Sequence, residues 1–262
     1  GCRTASSPGA LQFGMTSPDL PARRGRLFVI AAPSGAGKTS LVRALMEREP
    51  SLRFSISYTT RPQRPTETHG RDYFFVSKDE FAAMVGRGEF LEHARVFDNF
   101  YGTALGQVEA SLAGGQDLIL EIDWQGAQQI RLALPECRSI FILPPSRQEL
   151  ERRLRGRGTD AEGVIQRRLR DAATDMTHWS EFDYVVVNDD FDRALGDLHA
   201  IVQGRGDASR RDRGGLAELD DLMLDGMPQD QAKRIREAIE QNLKAFGGAE
   251  DAGKMEEMLG QQ

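Results

Sequence analysis

Residues Ala32-Pro33-Ser34-Gly35-Ala36-Gly37-Lys38-Thr39-Ser40 combine two glycines, a lysine and hydroxyls at a spacing suited to holding phosphate. Gly35 and Gly37 can take positive φ, which lets successive backbone N–H groups converge on one anion. Lys38 brings a full positive charge to the outer phosphates of a nucleoside triphosphate, and Thr39 offers a hydroxyl to Mg²⁺. The pattern G-x-x-x-x-G-K-[ST] asks for glycine where this chain has Ala32. That departure is mild, because the cradle is made by the backbone of residues 33–39. A ligand-free glycine turn would not need Lys-Thr behind its last glycine, so the segment predicts triphosphate binding and leaves the nucleotide and the reaction open.

Two more clusters could do chemistry. Thr59-Thr60-Arg61-Pro62-Gln63-Arg64-Pro65 sets two guanidinium groups three residues apart, in a segment whose prolines block a helix. Two such forks, presented from a stiff extended loop, can hold one phosphate. Tyr73 and Tyr101 each lie close to a glycine in sequence (Gly70 and Gly102). Taken singly they read as ordinary strand aromatics; their company suggests more.

The elements that must position these residues follow from periodicity. The apolar run 27–31 reads as a strand, and Leu41, Val42, Leu45 and Met46 after the glycine turn read as a helix face, so the cradle sits between strand and helix N-terminus, where the dipole favours anions. Further strands are expected at 54–60, 73–77, 90–97, 117–123, 139–143 and 184–188. Helices are expected at 78–86, 105–113, 125–134, 146–155, 161–177 and 191–202. Strands separated by helices favour a parallel sheet covered on both faces, an α/β fold. The strand-richer interval 54–103 interrupts that alternation and reads as an inserted lobe.

The chain has 262 residues, 39% of them hydrophobic, enough for one large α/β domain or two small ones. Residues 214–262 hold eleven acids and five bases, so the whole net charge of −6 resides there and the body is neutral. Cys2 and Cys137 have neither metal nor disulfide spacing. No apolar stretch approaches the roughly 20 residues that cross a bilayer, and no signal-peptide core begins the chain. A cytosolic setting is therefore expected, with neither nucleic acid nor membrane as partner. Residues 1–26 read as a disordered extension, in which Met15 would make a natural start and residues 1–14 would lie upstream of it.

From about Arg26 to about Arg205 the chain resembles the bacterial guanylate kinase family. Besides the cradle, the resemblance rests on Thr59-Thr60-Arg61-Pro62 with Arg64-Pro65, His69-Gly70 with Tyr73-Phe74-Phe75, Phe90-Leu91-Glu92-His93-Ala94, and Tyr101-Gly102-Thr103. It continues through Ile122-Asp123-Trp124-Gln125-Gly126-Ala127, Arg153-Leu154-Arg155-Gly156-Arg157-Gly158 and Val187-Asn188-Asp189-Asp190. The resemblance implies reversible, Mg²⁺-dependent transfer of the ATP γ-phosphoryl group to GMP or dGMP. It also implies a P-loop kinase core (27–53 and 104–208) with a lid at about 145–175 and an inserted GMP-binding lobe (54–103).

Carried onto this sequence, the resemblance assigns guanine recognition to Ser57, Glu92 and Thr103, and the acceptor phosphate to Arg61, Arg64, Tyr73 and Tyr101. Guanine presents two adjacent donors, N1–H and N2–H₂, which one carboxylate can accept together, whereas adenine has an acceptor at N1; Glu92 is thus the expected discriminator. The resemblance likewise assigns Pro33 to Ser40 and Asn188 to ATP, and Lys38, Arg153, Arg157 and Arg168 to catalysis. Where family members carry Asp-Ile-Asp, this chain reads Glu121-Ile122-Asp123. Asp123 is expected, with Thr39, on the Mg²⁺ side and Glu121 on the GMP side.

Beyond the resemblance, residues 209–262 read as an acidic helical tail. Leu216, Leu219, Leu222 and Met223 form one apolar series, and Ala232, Ile235, Ile239, Leu243 and Phe246 a second. Packing on the body or on a second copy of the chain is the first expectation for these helices, docking to another protein the second. Two alternative functions stay open at this stage: a phosphotransferase with another acceptor, such as a phosphorylated sugar, and a catalytically dead guanylate-kinase-like binding module. Lys38, Thr39, Arg157 and Arg168 argue against the dead module, and Ser57, Glu92 and Thr103 against the sugar.

Overall fold

Strand β1 (Leu27–Ala31) is buried at all five positions. A strand apolar on both faces belongs inside a parallel sheet with a layer on either side. A glycine turn joins it to α1 (Lys38–Arg48), and β2 (Arg53–Phe54) follows. The chain then leaves the sheet for β3 (Tyr58–Thr59), β4 (Phe74–Phe75), α2 (Lys78–Gly86), β5 (Phe90–Val96) and β6 (Asn99–Ala104). It returns through α3 (Leu105–Ala113), β7 (Leu118–Glu121), α4 (Trp124–Ala133), β8 (Arg138–Leu143), α5 (Arg147–Gly156) and α6 (Glu162–Thr177). A 3₁₀ turn (His178–Glu181), β9 (Tyr184–Val187), α7 (Phe191–Val202) and α8 (Gln229–Phe246) complete it. The computed structural model describes residues 23–96, 98–156, 158, 161–206 and 229–246.

The five-stranded sheet has the order β2-β7-β1-β8-β9, and all its pairings are parallel. Alternate residues of β1 feed opposite layers. Leu27, Val29 and Ala31 join Leu120, Phe141 and Val185 on one face, while Phe28 and Ile30 join Leu41, Leu45 and Leu198 on the other. A separate four-stranded sheet, β4-β3-β6-β5, forms the lobe. Its β5–β6 pair is antiparallel, and Phe81 of α2 stacks on Phe90 (ring centroids 4.6 Å apart) and on Phe100 (5.6 Å). Helices α5 and α6 carry a small core of their own, Leu150, Leu154, Ile165, Leu169 and Ala172.

Two sequence expectations need correction. The run 54–60 is not one strand of the lobe: Phe54 pairs with Ile119 in the large sheet, and only Tyr58 and Thr59 join the small one. Residues 1–22 of the expected disordered extension lie outside the described residues, and its last four, 23–26, are held to the body. Arg23 and Arg26 both bind the Asp117 carboxylate, and Arg24 binds Glu109. Arg157 and the first apolar series of the tail lie outside the described residues, whereas the second series falls on α8. Among the described residues, no helix is long and apolar enough to cross a membrane.

Candidate active site

The glycine turn delivers what its sequence requires. Gly35 and Gly37 take φ of 93° and 94°, and Gly37 stands at the N-cap of α1. The α1 N-terminus therefore points free N–H groups, with the positive end of its dipole, into a cleft of about 530 Å³. Pro33, Ser34, Gly35, Gly37, Lys38, Thr39 and Ser40 line that cleft. A side chain at Gly37 would collide with the Asn188 amide, 2.4 Å from the Cβ it would add. Lys38 donates to the Ile122 carbonyl at 2.7 Å, and the Thr39 hydroxyl donates to the Glu121 carboxylate.

Asn188, at the end of β9, is buried and donates through Nδ2 to the Ala36 carbonyl at 2.7 Å. Arg153 of α5 reaches the same corner: Nη2 donates to the Asn188 carbonyl at 2.9 Å and Nη1 to the Ala36 carbonyl at 3.3 Å. Its Nε donates to Glu149. Hydrogen bonds from Arg152 and then Arg153 hold that carboxyl at about 2, well below the usual range. The predicted donor residues Lys38, Thr39, Arg153 and Asn188 are thus brought together. Arg168 lies on α6 outside the residues that line the cleft; its neighbour Arg167 lines it, with Asp171, Thr174 and Asp175.

At the lobe end, Ser57, Glu92 and Thr103 converge from residues up to 46 positions apart. Glu92 is only 3% exposed and accepts a 2.6 Å hydrogen bond from the Thr103 hydroxyl, which lies 3.4 Å from the Ser57 hydroxyl. Burial first, and the Asp123 charge second, push the Glu92 carboxyl up to about 7 against the pull of Thr103. The pairing of β5 with β6 shifts register between Phe90 and Glu92, just at this point.

Arg61 lies in the same lobe, with its guanidinium 5.5 Å from the centre of the Tyr73 ring and its Nη2 on Glu67 at 2.7 Å. The Tyr73 and Tyr101 rings meet edge to face at 6.0 Å. Burial, then Glu121 and Tyr101, push the Tyr73 phenol up to about 12, so it stays a neutral donor at physiological pH. Arg64 is mostly exposed, and Glu67 lies 3.8 Å from its guanidinium.

Glu121 and Asp123 do not separate cleanly. Glu121 binds Thr39 yet lies close enough to raise the Tyr73 phenol. Asp123 caps α4 through the Gly126 N–H at 2.9 Å, and its charge acts on both Glu92 and Asp175. Both carboxylates stand between the two ends of the site.

Several residues escaped the sequence reading. Glu67 lies three residues past Arg64 and accepts from both Arg61 and the Arg64 backbone N–H. Gly126 leaves room for Glu92, whose Oε2 would stand 2.6 Å from an added Cβ. Asp175 is half-buried in the cleft wall, and burial, then Asp123, push its carboxyl up to about 7 against the pull of Lys38. Arg167, Asp171 and Thr174 recur at helical spacing along one face of α6, a pattern visible in the sequence. Arg95 and Trp124 also line the cleft.

A family profile described as guanylate kinase matches residues 24–205. A guanylate kinase of Methylococcus capsulatus is 60% identical over 180 residues, covering 69% of this chain and 88% of that relative. One from Alkalilimnicola ehrlichii is 54% identical over 200 residues, covering 76% and 98%. The crystal structure of guanylate kinase from Anaplasma phagocytophilum superposes with a TM-score of 0.59 at 34% identity, over 70% of this chain and 87% of that one. A triphosphate cradle facing a lobe with a buried carboxylate, and relatives of this closeness over nearly their whole length, lead to one conclusion: the chain belongs to the guanylate kinase family.

Proposed function

We infer that the two ends of the cleft divide the labour of ATP:GMP phosphotransfer, the guanylate kinase reaction that this chain performs. Backbone N–H groups of residues 34–40 and the Lys38 ammonium hold the β and γ phosphates of ATP, and Asn188 and Arg153 brace the loop that does so. Arg61, Arg64, Tyr73 and Tyr101 hold the phosphate of GMP. Ionised Glu92 accepts N1–H and N2–H₂ of guanine, and the hydroxyls of Thr103 and Ser57 serve its O6.

Thr39, Glu121 and Asp123 fit Mg²⁺. That ion keeps several waters and takes few protein ligands beside substrate phosphates, and no cluster of three or more metal-binding side chains occurs among the described residues. When bound, Mg²⁺ neutralises charge on the β and γ oxygens. The acceptor oxygen of GMP is already ionised and needs no strong base. It forms the new P–O bond as the bond between the γ phosphorus and its bridging oxygen breaks, and ADP leaves. The work of the protein is alignment and charge neutralisation. Lys38, Arg153 of α5, Arg168 of α6 and Arg157 supply the charge, and closure of α5 and α6 excludes the water that would hydrolyse ATP.

The observation that carries this reading is the buried Thr103–Glu92 pair with the half-buried Ser57 hydroxyl beside it at the lobe end of the site, since a sugar phosphate would offer it no guanine donors. A coupled assay of ADP release with GMP, dGMP, AMP and UMP tests it. GMP and dGMP should turn over, with kcat/KM for AMP lower by about 10⁴-fold, as expected when buried hydrogen-bonding groups lose their partners. Comparable rates with AMP or UMP would overturn it.

A further inference from the structure

Helix α8 lies beyond the region matched by the family profile, which ends at Arg205. It is nevertheless built into the body. Ile235, Ala238 and Ile239 are buried in the same apolar cluster as Val185 of β9 and as Leu143 and Val187, the last residues of β8 and β9. Asn242 is buried and donates through Nδ2 to the carbonyl of Pro144, where β8 passes into α5.

Arg234 of α8 turns mainly to the loop that carries Asn188, with Nη1 also 3.6 Å from Asp197 Oδ2 of α7. Arg234 Nη2 donates to Asp189 Oδ1 at 2.9 Å and to the Val187 carbonyl at 3.3 Å, and Nε donates to Asp189 Oδ2 at 3.2 Å. A two-pronged guanidinium–carboxylate contact fixes direction as well as distance. It thus grips the residues on either side of Asn188, whose own amide holds the Ala36 carbonyl of the phosphate loop. Arg234 is 15% exposed, so solvent screens this contact little.

We propose that α8 is a positioning element of the donor site: Arg234 clamps the Val187–Asp189 loop, so that ATP affinity depends on a helix outside the family's matched region. The proposal rests on the assignment of Asn188 to the ATP end. Arg234 touches no substrate; it acts through Asn188 and Ala36. A helix that only closed an apolar cluster would need Ile235 and Ile239, but not a guanidinium on Asp189.

The test is steady-state kinetics of full-length Arg234→Ala, Arg234→Lys and Asn188→Ala, with ATP and GMP varied in turn and Tm recorded. Arg234→Ala should raise KM for ATP by about three- to thirtyfold, the span of indirect coupling through a contact network. KM for GMP should stay within about twofold, because the lobe is a separate site. Arg234→Lys keeps the charge but loses the fork, is the gentler test of folding, and should shift KM for ATP in the same direction by less. A loss of Tm with both KM values unchanged in the Arg234 variants would make α8 merely structural and overturn the proposal. If Asn188→Ala raises KM for ATP while neither Arg234 variant does, the clamp is wrong and the donor assignment stands. If Asn188→Ala leaves KM for ATP unchanged, the donor assignment fails and the proposal falls with it.

Discussion

The two ends of the cleft are built on opposite plans. The phosphate end is made by consecutive residues, 33–40, and largely by backbone N–H groups whose directions are set by two positive-φ glycines. The end proposed for guanine is made by side chains from β5, β6 and the segment before β3, joined by two hydroxyl contacts around one buried carboxylate. Backbone recognition tolerates a changed side chain, as Ala32 at the first motif position illustrates. Side-chain recognition does not, because each buried polar atom that loses its partner keeps the cost of its desolvation.

The comparison is tested most severely at its one exception, the lysine that serves the phosphate end with a side chain. Lys38→Ala should lower kcat by ~10³-fold, since it removes a full charge from the transferring group, while GMP affinity stays within a few-fold. Stopped-flow phosphotransfer and equilibrium GMP binding check the two halves, and near-normal turnover would break the assignment.

At the guanine end, Glu92→Gln keeps the shape but turns an N–H donor toward guanine's own donors. It should lower kcat/KM for GMP by about 10²-fold with little effect on KM for ATP. Its carboxyl also gives this end a pH dependence that the backbone cradle lacks. On that proposal only ionised Glu92 accepts both guanine donors, and with its carboxyl at about 7 the KM for GMP should fall roughly tenfold between pH 6 and 8 beyond any change seen in Glu92→Gln. Stability runs the other way. A raised carboxyl contributes fully below the ordinary carboxylate range and loses its contribution as pH rises through about 7. The Tm of ligand-free Glu92→Gln, read by calorimetry, should therefore gain on the parent between pH 5 and 8. The smallest effect belongs to Ala32→Gly: restoring the full motif should change KM for ATP by less than about twofold, because the cradle's N–H groups lie further along the loop.

Much of this was legible in the sequence, for reasons that differ by region. The cradle was readable outright because its chemistry is local. The alternation of strands and helices carried the five-stranded sheet, since β1, β8 and β9 are apolar runs of sheet length. The lobe's edge was not readable. Phe54 and Tyr58 sit four residues apart in one extended run, and two-residue strands have no periodicity to say that they belong to different sheets. Pairings between distant residues were invisible too. Nothing around Arg23 or Arg26 names Asp117 as their partner, and nothing in the amphipathic pattern of α8 says that Arg234 meets Asp189. The residues proposed for guanine were assigned through resemblance, because a lone glutamate in a strand carries no signal of its own burial.

The strand order has a consequence for how the chain is made. β1 is wholly apolar, and both its neighbours come late: β7 begins at Leu118 and β8 at Arg138. A ribosome must therefore present Leu27–Ala31 without sheet partners while it adds the intervening lobe, on the order of ten seconds at ordinary elongation rates. The β5–β6 pair, closed by a short loop, can form as it emerges. The nascent chain thus holds a finished acceptor hairpin beside an unpaired core strand, a species on which chaperones act and from which aggregation would begin.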